Sequence, residues 1–390
     1  MAQTIGIGVI GMGWMGEAHS RSYRQMQDRY PDLNLHPRLV ICADIVADRA
    51  QAAQRRFGFE RYTTDWREVV ADPDVHIVNI TAPNYLHLEI AQAATNAGKH
   101  IFCEKPAGRT LEETRSIAES VQRAGVLSWV GFNYRWAPVV QHARQLISDG
   151  KLGSITHYRS RFLAGYASDP LTVCSWRFQR ELAGYGTLGD LMPHVLDMAH
   201  FMVGPVTRVI GNAHTFVPRR PQIPTGTGTH FTVGNADVLE DVTNEDYVGA
   251  LAQFENGAQG SFEACRVITG PQVQFSFEVN GTEGALRWDL ERMNEIEIYL
   301  PEYRGEVRIL SGPDHPDHVH FNPGAGIGLG YDDLKAIEAF HFLSSVAEGR
   351  QGNPGMREAT DAAQALAAIA RSWDSGTWEE VERTVELEHA

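Results

Sequence analysis

The stretch Ile5-Gly6-Ile7-Gly8-Val9-Ile10, followed at once by Gly11-Met12-Gly13-Trp14-Met15-Gly16, decides the fold. A short apolar run of strand length leads into a G-x-G-x-x-G hexamer. An amphipathic helical pattern over 14–28 follows. Each glycine serves a separate need: a tight turn, close approach of a pyrophosphate to the backbone, and close helix–sheet contact. The helix start then offers free N–H groups and a positive dipole end to phosphate. A hexamer of this kind is common by chance; its strand–turn–helix setting is what carries the reading.

Outward from that motif, short apolar runs alternate with helical patterns. The runs are Ile5–Ile10, Leu39–Ala43, Val75–Ile80, His100–Cys103 and Val126–Val130, and the helical stretches lie near 14–28, 47–56, 85–97 and 110–124. That alternation predicts a doubly wound parallel sheet, a Rossmann fold, over 1–131. After Gly131 the pattern changes. A helix near 138–149 precedes longer strand-like segments at Ile155–Phe162, Val206–Phe216, Asp246–Phe254 and Gln259–Val267. Glu255-Asn256-Gly257 reads as a hairpin turn. Further strands are expected at Phe275–Val279, Ala285–Trp288 and Glu295–Leu300, a long loop at 218–236, and closing helices near 332–348 and 357–373. Residues 132–390 therefore read as an α+β domain with a large open, mostly antiparallel sheet. The whole chain is α/β.

Composition excludes several classes. The chain has 390 residues and a formal net charge of -15, which opposes binding to nucleic acid or to an anionic membrane. No apolar run is long enough to span a bilayer. Cys42, Cys103, Cys174 and Cys265 stand far apart, which fits reduced thiols better than a disulfide framework or a zinc knuckle. With no export signal ahead of the first strand, a cytoplasmic protein is expected.

Asp44 ends the second strand, where a carboxylate accepts hydrogen bonds from ribose hydroxyls. It lies farther from Gly16 than usual, which an inserted loop at 30–37 explains. The acid repels a 2′-phosphate and no Arg adjoins it in sequence, so NAD is favoured over NADP. Glu104-Lys105-Pro106 follows the His100–Cys103 strand, so Lys105 faces the ligand crevice at the carboxyl end of the sheet. A second cluster is Gly184-Tyr-Gly-Thr-Leu-Gly-Asp190-Leu-Met-Pro193-His194-Val-Leu-Asp197. Asp190 and His194 are spaced to share a helical face, and Pro193 suits a first turn. Taken singly, Lys105 also reads as a surface charge and His194 as a packed or capping histidine.

Together these pieces resemble the Gfo/Idh/MocA oxidoreductase family. The resemblance rests on the glycine motif at 11–16, Thr81-Ala82-Pro83-Asn84-Tyr-Leu-His87, Ala97-Gly98-Lys99-His100-Ile-Phe-Cys-Glu104-Lys105-Pro106, and Asp190-x-x-x-His194-x-x-Asp197. It implies Lys105, Asp190 and His194 as the catalytic group and a cis Lys105–Pro106 peptide. It also implies cofactor contacts from Gly11, Met12, Gly13, Trp14, Met15 and Gly16, and from Thr81, Ala82, Pro83, Asn84, His87, Glu104 and Lys105. One residue, Ala82, departs from the common T-P-N form. The large sheet is expected to pack against its copy in a dimer or tetramer.

Oxidation of a secondary alcohol sends a hydride to nicotinamide and a proton to a base. His194 suits the base, and Lys105 suits the stabilisation of alkoxide character. The reverse assignment, with Lys105 taking the proton, is equally compatible with the sequence. Tyr134, Arg135, Trp176 and Arg177, with Lys105, Asp190 and His194, form a candidate substrate pocket of aromatic faces and donors for a small uncharged cyclic polyol or sugar. The alternation around Trp176 and Phe178 is also what a half-buried strand gives. The Ser175–Gln179 run and Gly330-Tyr331-Asp332-Asp333 resemble a subgroup acting on inositols, rare aldoses or anhydrosugars. Scyllo-inositol is the expected substrate, with L-glucose as a side activity and levoglucosan as the main rival. An NAD-dependent glycosidase and a non-catalytic dinucleotide sensor are the alternatives of other classes. Asp314-His315-Pro316-Asp317-His318-Val319-His320 lacks a metal-site framework and reads as a polar loop. No metal is expected.

Overall fold

The computed structural model describes residues 3–223, 229 and 231–383. Six parallel strands form the first sheet: β1 (Gln3–Ile10), β2 (Leu35–Ala43), β3 (Arg61–Thr63), β4 (Ile77–Ile80), β5 (His100–Cys103) and β6 (Ser128–Val130). Their order, β3-β2-β1-β4-β5-β6, is doubly wound, with the reversal between β1 and β4. The connecting helices are α1 (Trp14–Arg29), α2 (Ala47–Phe57), α3 (Trp66–Ala71), α4 (His87–Asn96) and α5 (Leu111–Ala124). Local chemistry sets their ends. Thr110 accepts the Glu113 N–H at 3.3 Å at the start of α5, and Gly125 closes it with φ 63°.

Next, α6 (Pro138–Ser148) leads into the second sheet. Its strands are β7 (Ile155–Ala164), β8 (Val206–His214), β11 (Tyr247–Phe254), β12 (Gln259–Cys265), β13 (Val273–Gly281), β14 (Ala285–Asp289), β15 (Glu295–Leu300), β16 (Gly305–Leu310) and β17 (Glu379–Glu380), after a separate pair, β9 (Arg219–Pro221) with β10 (Leu239–Asp241). The nine-stranded order is β16-β15-β14-β13-β7-β12-β11-β8-β17. Only the β12–β7 pairing is parallel, so the sheet is mostly antiparallel as expected. Short helices α7 (Arg180–Ala183) and α8 (Thr187–Asp190) precede α9 (Met192–Met202), and α10 (Tyr331–Glu348) and α11 (Met356–Ser375) close the chain. These last two return to pack on α1 and α5. One continuous apolar core joins both sheets, from Ile7 and Phe102 through Trp129 and Phe342 to Phe275 and Trp288.

Several expectations need correction. The supposed loop at 30–37 ends early, because Leu35–Pro37 already pair with Gln3–Ile5. Within 218–236, Arg219–Pro221 form β9 and Val233 bridges Thr172; residues 224–228 and 230 lie outside the described residues. Asp190 and His194 do not share a helix. Asp190 ends α8, a break at Leu191 intervenes, and His194 belongs to α9, which starts at Met192 with Pro193 in its first turn. The Trp176–Phe178 segment is a 3-10 turn, not a strand. Its last residue is pinned, because Phe178 carries the Arg220 and Arg266 guanidinium groups over its ring, at 4.4 and 4.5 Å.

Candidate active site

The glycine hexamer forms the mouth of the crevice. Gly11 has φ 94°, and a Cβ there would meet the Thr81 backbone at 2.7 Å. A Cβ on Gly16 would lie 2.0 Å from the Gly11 carbonyl oxygen, whereas one on Gly13 meets nothing within 4 Å. The loop is thus closed on its protein side and open on its solvent side, beside the uncapped start of α1. That cradle fits the pyrophosphate of a dinucleotide. Thr81 spends its hydroxyl on the Ile10 and Gly11 carbonyls, at 3.0 and 2.7 Å, and so braces the loop.

Asp44 sits where expected and does more than expected. One carboxylate oxygen accepts the Met12 N–H at 2.9 Å, and the other accepts the Val46 N–H at 2.9 Å. Arg49 also reaches both oxygens at 3.3 Å. The expectation that no Arg adjoins this acid is therefore corrected: α2 turns a residue five positions on back towards it. Lone-pair sites remain on the carboxylate for ribose hydroxyls.

Past β4, Ala82 and Pro83 continue the rim. Asn84 donates to the Ala183 carbonyl at 3.0 Å, and His87 faces the Ala82 and Pro106 carbonyls at 2.8 and 2.9 Å. Burial lowers the proton affinity of His87, more than those two carbonyls restore it. His87 thus ties the rim to the Lys105–Pro106 turn, whose peptide is cis as the resemblance implied, while Asn84 ties it to α7.

At the carboxyl end of β5, the Lys105 ammonium donates to the Asp190 backbone oxygen at 2.7 Å and to its carboxylate at 3.0 Å. An ammonium carries three N–H bonds, so one remains. The same Asp190 oxygen takes Arg177 at 3.1 Å, and the other accepts the Tyr166 hydroxyl at 2.8 Å. His194 lies beside this group in an aromatic box of Tyr134, Phe162, Phe132 and Phe275, with ring centroids 4.7, 5.8, 6.0 and 6.3 Å away. Burial, and then the charge of Lys105, hold its proton affinity well below the usual histidine value. The imidazole is neutral at neutral pH and open to accept a proton.

Tyr134 continues to Tyr331, at 6.2 Å between centroids, and Tyr331 stacks on Trp14 at 5.3 Å. Trp14 is 57% exposed, so an aromatic wall runs from the glycine loop to His194. Trp176 carries Arg177 over its ring at 4.6 Å. Arg135 does not join the pocket. Its guanidinium is buried and paired with Asp197, under Phe201. Sequence reasoning missed Tyr166 and a sealed set behind Lys105, in which Glu104 meets His19 and Lys335 at 2.8 Å each. Glu104 is thus buried among protein groups, where a cofactor contact had been expected. A Lys335–Glu338 pair in an otherwise apolar stretch of α10 was the available signal.

The 314–320 segment holds no set of three metal-ligating side chains among the described residues. Asp317 is used by Tyr30 and His341, at 2.9 Å each. A concavity of about 1010 Å³ lies away from this chemistry on the outer face of the nine-stranded sheet, lined by residues such as Arg159, Tyr247, Leu251 and Glu278.

Two family models cover most of this architecture: an oxidoreductase family with an NAD-binding Rossmann fold matches residues 5–132, and the GFO/IDH/MocA C-terminal domain matches 140–287. The chain is also 38% identical to the levoglucosan dehydrogenase of Pseudarthrobacter phenanthrenivorans, over 97% of this chain and 98% of that one. The chain belongs to the Gfo/Idh/MocA oxidoreductase family. It is an NAD-dependent oxidoreductase of that family. Identity to the scyllo-inositol 2-dehydrogenase (NAD(+)) of Bacillus subtilis is lower, 28% over 90% of this chain and 88% of that one. A solved levoglucosan dehydrogenase in complex with NADH and levoglucosan superposes with a TM-score of 0.92 at 37% identity, covering 98% of this chain and 100% of the other. No helix among the described residues is long and apolar enough to cross a membrane.

Proposed function

We propose that this family member oxidises a secondary hydroxyl of a small cyclic sugar, with an anhydrosugar of the levoglucosan kind ahead of scyllo-inositol. One observation carries the reaction: Lys105 holds Asp190 at the carboxyl end of β5, and neutral His194 lies within electrostatic reach of both. The higher likeness to a levoglucosan dehydrogenase supports the order of substrates. In this reading the remaining Lys105 N–H bonds the substrate oxygen, and His194 takes the hydroxyl proton as the C–O bond gains double-bond character. Asp190 keeps the ammonium in place and charged. Tyr166 and Arg177 hold Asp190 in turn. The Trp14–Tyr331–Tyr134 wall offers flat faces to the C–H side of a ring, and Arg177 a donor to its hydroxyls. NAD, when bound, supplies the hydride acceptor.

The test is NADH absorbance with levoglucosan, scyllo-inositol, myo-inositol, and D- and L-glucose, each with NAD or NADP. Turnover on levoglucosan with NAD is expected. NADH binding without turnover on any of the five would remove this reading. We also propose that residues 1–131 and 132–390 act as nucleotide and substrate domains, and that the outer face of the nine-stranded sheet packs against a second copy. Light scattering showing a monomer would sink the latter.

A further inference from the structure

We infer that Lys335, delivered by α10 from the far end of the chain, is a positioning residue that holds Glu104 and through it the catalytic Lys105. The proposal rests on the dehydrogenase reading above. Lys335 is fully buried, flanked by buried Leu334, Ala336 and Ile337. Its ammonium donates to Glu104 at 2.8 Å and to Glu338 at 3.0 Å. The same Glu104 oxygen meets His19 at 2.8 Å, while its other oxygen accepts the backbone N–H of Lys105 at 3.2 Å. Gly131 packs so closely that a Cβ there would lie 2.6 Å from the carboxylate. Glu104 therefore has no alternative place to go.

A buried lysine among apolar neighbours is costly unless it serves the ion it pairs with. Burial keeps His19 largely neutral, at about 4, so Lys335 supplies the cation that matches Glu104. A merely stabilising pair would not need to end on the peptide of the catalytic residue. The cluster is also within electrostatic reach of His194. The charged groups bearing on that imidazole are Lys105 and Lys335 on one side of the balance and Glu104 and Asp190 on the other. The elements packed against it present aromatic rings, from Phe132, Tyr134, Phe162 and Phe275. Loss of Lys335 leaves two anions against one cation, so the imidazole binds a proton more readily. The Lys105 backbone also loses a fixed partner.

The experiment compares wild type, Lys335→Met and the double variant Lys335→Met/Glu104→Gln, which removes both charges and guards against misfolding of the single change. Steady-state rates are measured against pH on the sugar that turns over. The His194 imidazole is titrated by NMR with carbon-13 histidine, its signal assigned with His194→Asn. For Lys335→Met, kcat is expected to fall at least roughly tenfold through misplacement of Lys105, with the sugar KM within about twofold. The acid limb of the rate profile and the His194 midpoint both move to higher pH. The double variant is expected to return the His194 midpoint towards wild type while kcat stays low. A folded Lys335→Met protein with wild-type kcat and an unmoved His194 titration overturns the proposal, as does a change in thermal stability alone. If wild type turns over no sugar, the dehydrogenase reading fails by itself, and the His194 titration still decides whether Lys335 acts on this site.

Discussion

Gly11, Gly13 and Gly16 shape the nucleotide end of the crevice with backbone alone, inside six residues of chain. The proposed catalytic end takes Lys105, Tyr166, Arg177, Asp190 and His194 from five separate segments of both domains. The first construction is expected to fail when a side chain is added. The second is expected to fail when one is removed. The difference teaches where each end is vulnerable, and it can be broken by mutation. The largest effect belongs to the catalytic end: Lys105→Ala and His194→Ala should each lower kcat by about 10²–10⁴-fold, while NADH affinity, read by fluorescence titration, stays within about tenfold. Retained turnover in either variant would remove that residue from the chemistry.

At the nucleotide end, two glycines give opposite signatures. A Cβ on Gly16 strikes the Gly11 carbonyl, so Gly16→Ala should cost about 1–3 kcal/mol through overpacking. Both the melting temperature and NADH affinity fall, the latter roughly ten- to hundredfold. Gly13→Ala places its methyl in open space, so the melting temperature should not move while NADH affinity still drops. Equal melting losses in both variants would mean that the loop is not shaped for a ligand on its open side.

This locality also explains what the sequence disclosed. The glycine run, Asp44 and the Lys105 turn each sit at the end of a strand whose neighbours are close in sequence, so motif and position agreed. Arg135 misled because it adjoins Tyr134 on one short turn, yet the two side chains leave in different directions. Its partner Asp197 stood three residues from His194 in the same motif, and a buried arginine requires such an acid. Tyr166 carried no spacing signal and Lys335 only its pairing with Glu338, since 24 residues separate Tyr166 from Asp190 and 231 separate Lys335 from Glu104. The fold was more legible than the site because periodicity is local and side-chain convergence is not. The helix assumed to hold both Asp190 and His194 shows the same limit, for a break at Leu191 cannot be read from i,i+4 spacing.

Tyr166→Phe tests the catalytic end more gently. It removes one donor from Asp190 and leaves the ring in place. A hydrogen bond to a charged group contributes about 1.5–3 kcal/mol, so kcat/KM should fall about tenfold or somewhat more. The melting temperature should fall as well, because the same bond contributes to folding stability, although Lys105 and Arg177 still hold the carboxylate. A variant with wild-type kcat/KM would mean that two cations suffice to fix Asp190.

The smallest effect comes from the sealed cluster behind Lys105, and it is a dependence on pH. Burial raises Glu338 to about 7, against the pull of Lys335, while burial lowers His19 to about 4. A carboxyl raised on folding binds its proton more tightly in the native state. Its contribution is full below about pH 4.5, the unfolded value, and is lost as pH rises through 7. A histidine lowered on folding acts the other way, adding stability as pH rises from about 4 to 6.5. The two oppose each other in mild acid, and above pH 6.5 only Glu338 still changes. Glu338→Gln mimics the protonated carboxyl at every pH. The variant should therefore gain on wild type between pH 6 and 8, by up to about 1.4 kcal/mol per pH unit. Melting curves of both proteins at pH 6, 7 and 8 read this directly, since groups common to both cancel in the difference. A difference that stays constant across that range would mean that Glu338 remains ionised beside Lys335 throughout, and the sealed cluster would then carry a fixed net negative charge.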